Sequence, residues 1–218
     1  MNSIEITLFG GTGLIGGYLK DLIIDDPFFN KINFVTRRVY KSNQKKLVNH
    51  IIDFSKYKEI SNTIKNSKVV YSAIGTTQSK VNWNKDEYRK IDYDININIA
   101  KACKKFQIRN FSFVSTAGAN YKSDNFYLKL KGEIEKDIIR MNLPSTSIYR
   151  PSLLLGERKE RRIGEKLAQF LMPKLSFLMP EKYKPINAKN VALSMINISK
   201  SIEKRHKLYH YKEIIENS

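Results

Sequence analysis

Cysteine and histidine are scarce in this chain. Its 218 residues include a single cysteine, Cys103, and three histidines. One thiol cannot close an internal disulfide, and so few thiol and imidazole groups cannot supply a multi-cysteine zinc site. The sequence therefore predicts no metal site and a compartment in which thiols stay reduced, which we take to be the cytoplasm.

Long apolar runs are also absent. The most apolar late segment, 167–179, is interrupted by Gln169, Pro173 and Lys174, and the chain does not open with a basic stretch followed by an apolar one. A membrane-spanning helix needs about 20 apolar residues, and a secretory signal needs that charged and apolar order. We expect neither. Segment Leu167–Met179 then packs in the core, roofs a substrate pocket or joins two copies, and the sequence leaves these alternatives open, as it does a monomer or a homodimer.

Acidic residues are outnumbered by basic ones. The 39 lysines and arginines exceed the 21 aspartates and glutamates and give a net charge of +18. No run of adjacent basic residues is longer than two, and acids such as Glu157, Glu160 and Glu165 lie among them. Such mixing is typical of a solvated surface, whereas a nucleic-acid footprint gathers its charge on one face. We expect no specific nucleic-acid partner, and such binding is the weakest of the functional alternatives.

Strand-like and helix-like stretches alternate along the chain. Residues 3–9 alternate and then turn fully apolar, which is typical of a strand in a covered parallel sheet. Strands alternating with helices need parallel crossovers. The sequence predicts an α/β fold, a single Rossmann-type doubly wound parallel sheet with helices on both faces and a small C-terminal extension. The predicted strands are 3–9, 32–36, 47–52, 68–74, 110–115, 145–149 and 209–214; the predicted helices are 14–26, 56–65, 84–106, 126–141, 160–172 and 188–203.

One domain is expected over 1–218, because this length is within reach of a single α/β unit. Residues 1–150 form its cofactor part and 151–218 its substrate-side part. The glycine-rich stretch between the first strand and the first helix indicates a dinucleotide site, because bare backbone there can approach a diphosphate beside unpaired helix N–H groups. A tight turn without a ligand is the alternative. The residues predicted to hold the diphosphate are Gly10, Thr12, Gly13, Leu14, Ile15 and Gly16.

The end of the second strand bears on the choice of dinucleotide. An NAD site usually has an acid there for the ribose 2′-hydroxyl, whereas this chain has Arg37 and Arg38. Guanidinium groups bind phosphate oxygens in pairs. We therefore expect NADP(H) to be preferred over NAD(H), the alternative being that these arginines are only part of a basic surface. Asp53 and Phe54 are expected at the adenine end, and Ala73, Ile74 and Gly75 where the cofactor crosses the sheet edge.

Tyr127 and Lys131 are four residues apart on a predicted helix and share a face. A nearby ammonium favours the phenolate, so the tyrosine can exchange a proton with a substrate alcohol or carbonyl. The spacing alone is no rarer than chance. Two hydroxyl residues, Ser115 and Thr116, end a predicted strand just before this helix, where parallel sheets bind ligands. Either hydroxyl would orient the reacting oxygen, or would satisfy the backbone of the turn.

The motifs GGTGLIG, VSTAGA, FYLKLKGEIE and SIYRPSLLLGERKERRIGE together resemble the short-chain dehydrogenase/reductase superfamily. They are most similar to its atypical branch that includes the Tat-interactive-protein-like oxidoreductases, from residue 4 to about residue 214. The resemblance implies a Rossmann fold, an NADP(H) site and a Ser/Tyr/Lys centre. It implies Tyr127 as the acid/base and Lys131 as its partner, which also bonds the nicotinamide ribose, with Pro151 and Ser152 near the nicotinamide.

Two positions depart from the family pattern. Thr116 lies where the family usually has serine, with Ser115 beside it as a substitute, and Asp92 lies where many relatives have asparagine. The first hypothesis is an NADP(H)-dependent reductase or dehydrogenase acting on a small carbonyl or alcohol. The alternative is a non-catalytic NADP(H)-binding module that reports redox state, since some relatives in this branch are regulatory. The sequence names neither the substrate nor the direction of the reaction.

Overall fold

A seven-stranded parallel sheet forms the centre of the molecule, and its order is β3-β2-β1-β4-β5-β6-β9. A computed structural model describes residues 4–156, 180–201 and 206–218. The order turns back at β1 and β4, which makes the sheet doubly wound and confirms the predicted fold class. Its strands are β1 (Ile4–Phe9), β2 (Phe29–Thr36), β3 (Leu47–Ile51), β4 (Val69–Ser72), β5 (Asn110–Val114), β6 (Thr146–Tyr149) and β9 (His206–Tyr209), while β7 (Leu154–Leu155) and β8 (Ile186–Asn187) form a separate parallel pair.

Helices cover both faces of the sheet, and its central strands bury side chains on both sides. In β1, Ile6 and Leu8 pack into the core cluster beneath the helix Ala188–Lys200, and Phe9 packs into the opposite cluster. Successive side chains of a strand point to opposite faces, so β1 contributes to both cores. The helices are α1 (Leu14–Asp25), α2 (Tyr57–Ile64), α3 (Lys85–Arg89), α4 (Ile95–Lys105), α5 (Phe126–Arg140), α6 (Ala188–Lys200) and α7 (Tyr211–Glu216).

A π-helical turn, Lys90–Asp94, joins α3 to α4 within the stretch predicted as one helix. Such turns insert an extra residue and are frequent at functional sites. Here the turn carries Asp92, whose residue surface is fully buried. The sequence predicted the helix but not this interruption.

The predicted strand 209–214 is wrong. β9 ends at Tyr209, and α7 begins at Tyr211. The helix starts there because His210 and Glu213 form a reciprocal cap, in which the backbone N–H of His210 donates to Glu213 Oε2 at 3.0 Å. The predicted helix 160–172 and segment Leu167–Met179 lie outside the described residues, and among those that are described no helix is long and apolar enough to cross a membrane.

Gly16 and Gly17 form a matched pair for testing how closely α1 packs on the preceding turn. A Cβ at Gly16 would lie 2.2 Å from the carbonyl oxygen of Gly10, whereas one at Gly17 would meet nothing within 4 Å. Gly16→Ala is expected to lower the free energy of unfolding by about 1–3 kcal/mol. Gly17→Ala should raise it by roughly 0.5–1 kcal/mol, because alanine is the better helix former. Thermal unfolding followed by circular dichroism measures both, and shifts of the same sign would contradict the packing.

Candidate functional site

The glycine turn connects β1 to α1, and no side chain caps the start of this helix. Gly13 is the N-cap residue, and no side chain accepts a hydrogen bond from the first turn of α1. The first N–H groups of a helix have no partner within it. Thr12 and Gly13 are exposed. The turn therefore presents unpaired N–H groups and the positive end of a helix dipole at the carboxyl edge of the sheet.

The glycines of this turn serve two purposes. Gly10 has a φ of +76°, and a Cβ there would lie 2.5 Å from the carbonyl carbon and oxygen of Ala73. Gly10 is thus required by the crossing of two backbone segments, a reason that the sequence did not reveal. Gly13 differs, because its Cβ would meet only the Gly10 oxygen, at 3.3 Å. The open side of the turn is therefore at Gly13.

The end of β4 connects the glycine turn to a buried ion pair. Ala73 and Ile74 contact Gly10, and a Cβ at Gly75 would lie 3.6 Å from Asp92 Oδ1 and 3.9 Å from Lys131 Nζ. Lys131 Nζ itself lies 2.8 Å from Asp92 Oδ1, and its side chain is 5% exposed. The structure thus brings the predicted turn, the predicted β4 segment and the predicted lysine into one continuous site.

Asp92 is held on several sides. Its Oδ2 accepts the backbone N–H of Thr76 at 2.8 Å, and its carbonyl accepts from Asn96 Nδ2 at 2.6 Å. The Asn96 side chain is fixed in turn, because its Oδ1 accepts from Ser72 Oγ at 2.5 Å. A buried carboxylate needs such partners to offset its lost hydration. These bonds orient Asp92 toward Lys131.

Tyr127 and Lys131 lie one turn apart on α5, as predicted. Burial opposes the charge on Lys131, but Asp92 and then Tyr127 raise the pKa of this ammonium above its ordinary value of 10.5. Lys131 therefore carries its charge throughout the physiological range. The half-buried Tyr127 ring packs edge-on against Tyr88 of α3, with ring centroids 6.4 Å apart.

The hydroxyl pair after β5 differs in accessibility. Ser115 Oγ is buried and has no hydrogen-bond partner among the described residues, whereas Thr116 is half-buried. The loop that follows packs on α5, since Asn120 N donates to the Leu128 carbonyl at 3.0 Å. A hydroxyl that contacts a substrate must be reachable from the cleft, so Thr116 is the better placed of the two. The loop that begins at Thr116 therefore lies next to the helix that carries Tyr127.

Pro151 and Ser152 lie beside this loop. The Ala117 N–H donates to the Pro151 carbonyl at 2.8 Å, which extends the pairing of β5 with β6. Ser152 Oγ donates to the Lys184 carbonyl. The structure therefore brings these two residues to the Thr116 side of the cleft, with the Ser152 hydroxyl already engaged by the chain.

Arg37 and Arg38 are exposed at the end of β2, two strands away from the end of β4. Within the described part of the chain neither guanidinium takes part in an ion pair. The ends of β2, β1, β4, β5 and β6 follow one another along the edge and span about 19 Å at ~4.8 Å per strand. The predicted site residues thus lie along an extended stretch of one edge of the sheet.

Asp53 has a local role that the sequence did not reveal. Its Oδ1 accepts from Ser55 Oγ at 2.7 Å and from the Ser55 N–H at 2.9 Å. These bonds, the hydroxyl one first, lower the pKa of the exposed Asp53 carboxyl. Asp53 therefore shapes the turn before α2, while Phe54 packs edge-on against Phe9 at 6.2 Å.

The sequence did not predict a second buried ion pair, which joins Glu135 of α5 to Arg150. Glu135, four residues after Lys131, accepts from Arg150 Nε at 2.9 Å and is 3% exposed. The four-residue spacing that relates Tyr127 to Lys131 continues to Glu135, which was the available signal. Arg150 directly follows β6, so this pair ties the Pro151 segment to the helix that carries Tyr127.

The residues present fit a dinucleotide. The uncapped start of α1 suits a diphosphate, and the absence of a side chain at Gly75 leaves room beside the Lys131 ammonium. Over the described ranges, no three His, Cys, Asp or Glu side chains gather into a possible metal site. A separate surface groove of about 800 Å³ lies along α4 and the end of α5 and shares only Phe54 with the predicted residues.

Curated relatives match most of the chain. Protein FMP52, mitochondrial, from Candida albicans is 39% identical over 167 residues, which cover 74% of this chain and 72% of the relative. Protein FMP52-1, mitochondrial, from Scheffersomyces stipitis is 36% identical over 156 residues, which cover 70% and 68%. These names overturn the predicted cytoplasmic location. A lone buried thiol excludes a disulfide framework, but it does not distinguish one reducing compartment from another.

Solved structures share the fold at low identity. The UDP-N-acetylglucosamine 4-epimerase from Methanobrevibacter ruminantium, in complex with UDP-N-acetylmuramic acid, has a TM-score of 0.74 at 18% identity and covers 96% of this chain and 77% of its own. The UDP-glucose 4-epimerase of Thermus thermophilus, in complex with NAD, has a TM-score of 0.72 at 12% identity and covers 98% and 81%.

The family is shown by the sequence itself. The sequence model of the NAD dependent epimerase/dehydratase family matches residues 6–170, from β1 to beyond β7. This match agrees with the resemblance to short-chain dehydrogenases/reductases and with the observed Rossmann-type sheet. The chain therefore belongs to the NAD dependent epimerase/dehydratase family.

Proposed function

We propose that the protein is an NADP(H)-dependent oxidoreductase that transfers hydride between the nicotinamide and a small carbonyl or alcohol. The observation that carries the proposal is the Lys131 ammonium, which is buried beside the end of β4 and one helical turn from Tyr127. A buried, permanently charged lysine next to a tyrosine is costly for stability alone. It is useful where a phenol must exchange protons and a ribose must be bound. The mitochondrial names of the relatives support a mitochondrial site of action.

Each polar group has a defined task in this proposal. When bound, the nicotinamide supplies or accepts the hydride. The Tyr127 hydroxyl would donate its proton to the substrate oxygen during carbonyl reduction, and in the reverse direction its phenolate oxygen would accept the proton of the alcohol. The Lys131 ammonium places a positive charge one helical turn from Tyr127, and it would bond the ribose of the cofactor. Asp92 holds Lys131 in position, and Thr116 donates to the reacting oxygen.

The preference for NADP(H) rests on Arg37 and Arg38. Both are exposed at the end of β2, beside the glycine turn at the end of β1. Among the described residues neither guanidinium has an ion-pair partner that would have to be displaced when a phosphate binds. The planar guanidinium group also matches two phosphate oxygens. These features support a 2′-phosphate contact beyond the NAD dependence that the family name states.

A second candidate function is a non-catalytic NADP(H)-binding module. One observation favours it: the Asp92 carboxylate lies 2.8 Å from Lys131 Nζ. This pair is neutral overall, so its effect on Tyr127 is weaker than that of an unpaired ammonium. Binding of the cofactor would then persist while proton transfer is slow. Turnover separates the two functions.

For cofactor preference we expect NADPH to bind more tightly than NADH, and the double variant Arg37→Ser/Arg38→Ser to lose most of that difference. Loss of one charge-assisted phosphate contact should weaken NADPH binding by roughly tenfold or more. Isothermal titration with both coenzymes measures this. Arg140→Ser, on an exposed arginine at the end of α5, is the control and should leave both dissociation constants unchanged. Equal affinities in the unmodified protein would contradict the preference.

For catalysis we expect Tyr127→Phe to reduce NADPH oxidation by about 10²–10⁴-fold, because it removes the proton donor. The assay uses a panel of aldehydes, ketones and quinones followed at 340 nm. Tyr121→Phe is the matched control, since Tyr121 is 42% exposed in the loop before α5. Binding of NADPH without turnover above the Tyr127→Phe background would favour the non-catalytic module.

For the ion pair we expect Asp92→Ala to lower the free energy of unfolding by about 3–5 kcal/mol, because it leaves Lys131 buried without a partner. Asp92→Ala/Lys131→Met should recover part of this loss. Glu87→Ala, which breaks the exposed Lys90–Glu87 pair, is the control and should cost little. Urea unfolding measures all three.

The loss of unfolding free energy in Asp92→Ala depends on pH through the protonation of Lys131. Its pKa is raised in the folded protein, so the stabilisation is complete below 10.5 and disappears only as pH rises through the folded-state value. Without Asp92, burial lowers the pKa of Lys131, so the deficit of Asp92→Ala should be largest at low pH and should shrink as pH rises and the unpaired lysine loses its proton. A deficit that grew with rising pH would show that the pair is not what stabilises the fold.

A further inference from the structure

The loop that follows β2 is held by hydrogen bonds near its beginning, at Tyr40, and at its end, at Lys46. Residues 37–46 have no helix or strand, and 41–45 are all exposed. Tyr40, by contrast, is half-buried, and its ring lies 4.7 Å from the Phe34 ring. The stretch between Thr36 and Tyr40, which contains both arginines of the proposed 2′-phosphate contact, is therefore fixed at its two ends.

Asn49 of β3 makes the hydrogen bonds that fix the stretch between Thr36 and Tyr40. Its Nδ2 donates to the Phe34 carbonyl at 3.0 Å and to Thr36 Oγ1 at 2.8 Å. Its Oδ1 accepts the Tyr40 N–H at 2.8 Å. Thr36 Oγ1 then donates to the Arg38 carbonyl at 2.6 Å. One amide side chain thus uses both of its donor hydrogens and its acceptor to bridge the start and the end of the arginine stretch.

The same stretch is connected to the glycine turn. Phe34, whose carbonyl Asn49 binds, packs under Gly11, where an added Cβ would lie 2.0 Å from the phenyl ring. Tyr40 OH accepts from Lys20 Nζ of α1 at 2.8 Å. The arginine stretch and the diphosphate turn therefore rest on shared neighbours, and their relative position is set by packed groups rather than by a free loop.

We propose that Asn49 is the positioning residue that sets how strongly this protein distinguishes a 2′-phosphate from a 2′-hydroxyl. The inference rests on the proposed NADP(H) function and assigns its selectivity to a side chain that need not touch the cofactor. An arginine gains most from a phosphate when its backbone is already oriented, because less conformational entropy is then lost on binding. Asn49 and Thr36 supply that orientation for Arg37 and Arg38.

The chemistry of the site explains why an amide serves here. Two acceptors, the Phe34 carbonyl and Thr36 Oγ1, face one side of the Asn49 side chain, and one N–H donor, that of Tyr40, faces the other. Only a side chain with two donors and an acceptor satisfies all three. Thr36 is needed as well, since its hydroxyl accepts from Asn49 while it donates to Arg38.

The test compares the dissociation constants of NADP⁺ and NAD⁺ in the unmodified protein and in Asn49→Ala, by isothermal titration. We expect the preference for NADP⁺ to fall by about tenfold, the order of one charge-assisted contact. The dissociation constant for NAD⁺ should stay within about twofold, because the diphosphate turn is untouched. Asn62→Ala, on the exposed side of α2, is the matched control and should change neither constant.

Each outcome decides the inference. If Asn49→Ala weakens both coenzymes equally, or leaves their ratio unchanged, Asn49 is not a selectivity residue, while the NADP(H) proposal stands. If the unmodified protein shows no preference for NADP⁺, the NADP(H) proposal fails and the inference fails with it. Should Asn49→Ala not fold, Thr36→Val removes the same relay with little change in volume, and the same ratio decides.

Discussion

The crossing of the glycine turn over the end of β4 is the contact on which the candidate site depends. Gly10 approaches the Ala73 carbonyl more closely than any side chain would allow, which holds the start of α1 against the strand that leads to Gly75. Gly75 in turn adjoins Lys131. The distance between the helix N-terminus and the buried ammonium is therefore set by backbone contacts, which yield less than side chains do.

The charged groups along this edge of the sheet lie in two kinds of environment. At the β2 end, the Arg37 and Arg38 guanidiniums are exposed to water, where their attraction for an anion is weak and screened by salt. Near α5, Lys131 is enclosed with Asp92, where charge interactions are stronger and an unpaired charge is costly. The first environment suits recognition of a cofactor, and the second suits control of a proton.

The sequence predicted what local periodicity and glycine placement encode. The first six strands, the turn at Gly10–Gly16 and the facing pair Tyr127 and Lys131 all follow from spacing along the chain. The partnership of Asp92 with Lys131 does not, because it requires a π-helical turn and contact between residues 39 positions apart. Asn49 was hidden for the same reason, since its three partners lie on another strand and a loop. Histidine is a rare N-cap residue, so the start of the helix at Tyr211 was not recognised and the sequence predicted a strand over 209–214.

The last strand of the sheet comes from the final residues of the chain. β9 pairs with β6 across some 60 positions, with Thr146 opposite His206, and the Tyr149 and Tyr209 rings stack at 4.9 Å. While the chain is being synthesised, β6 is an open edge with one unsatisfied row of amides and carbonyls. That edge closes only after residues 206–209 have been synthesised, so β6 must be kept from pairing with other chains over that interval.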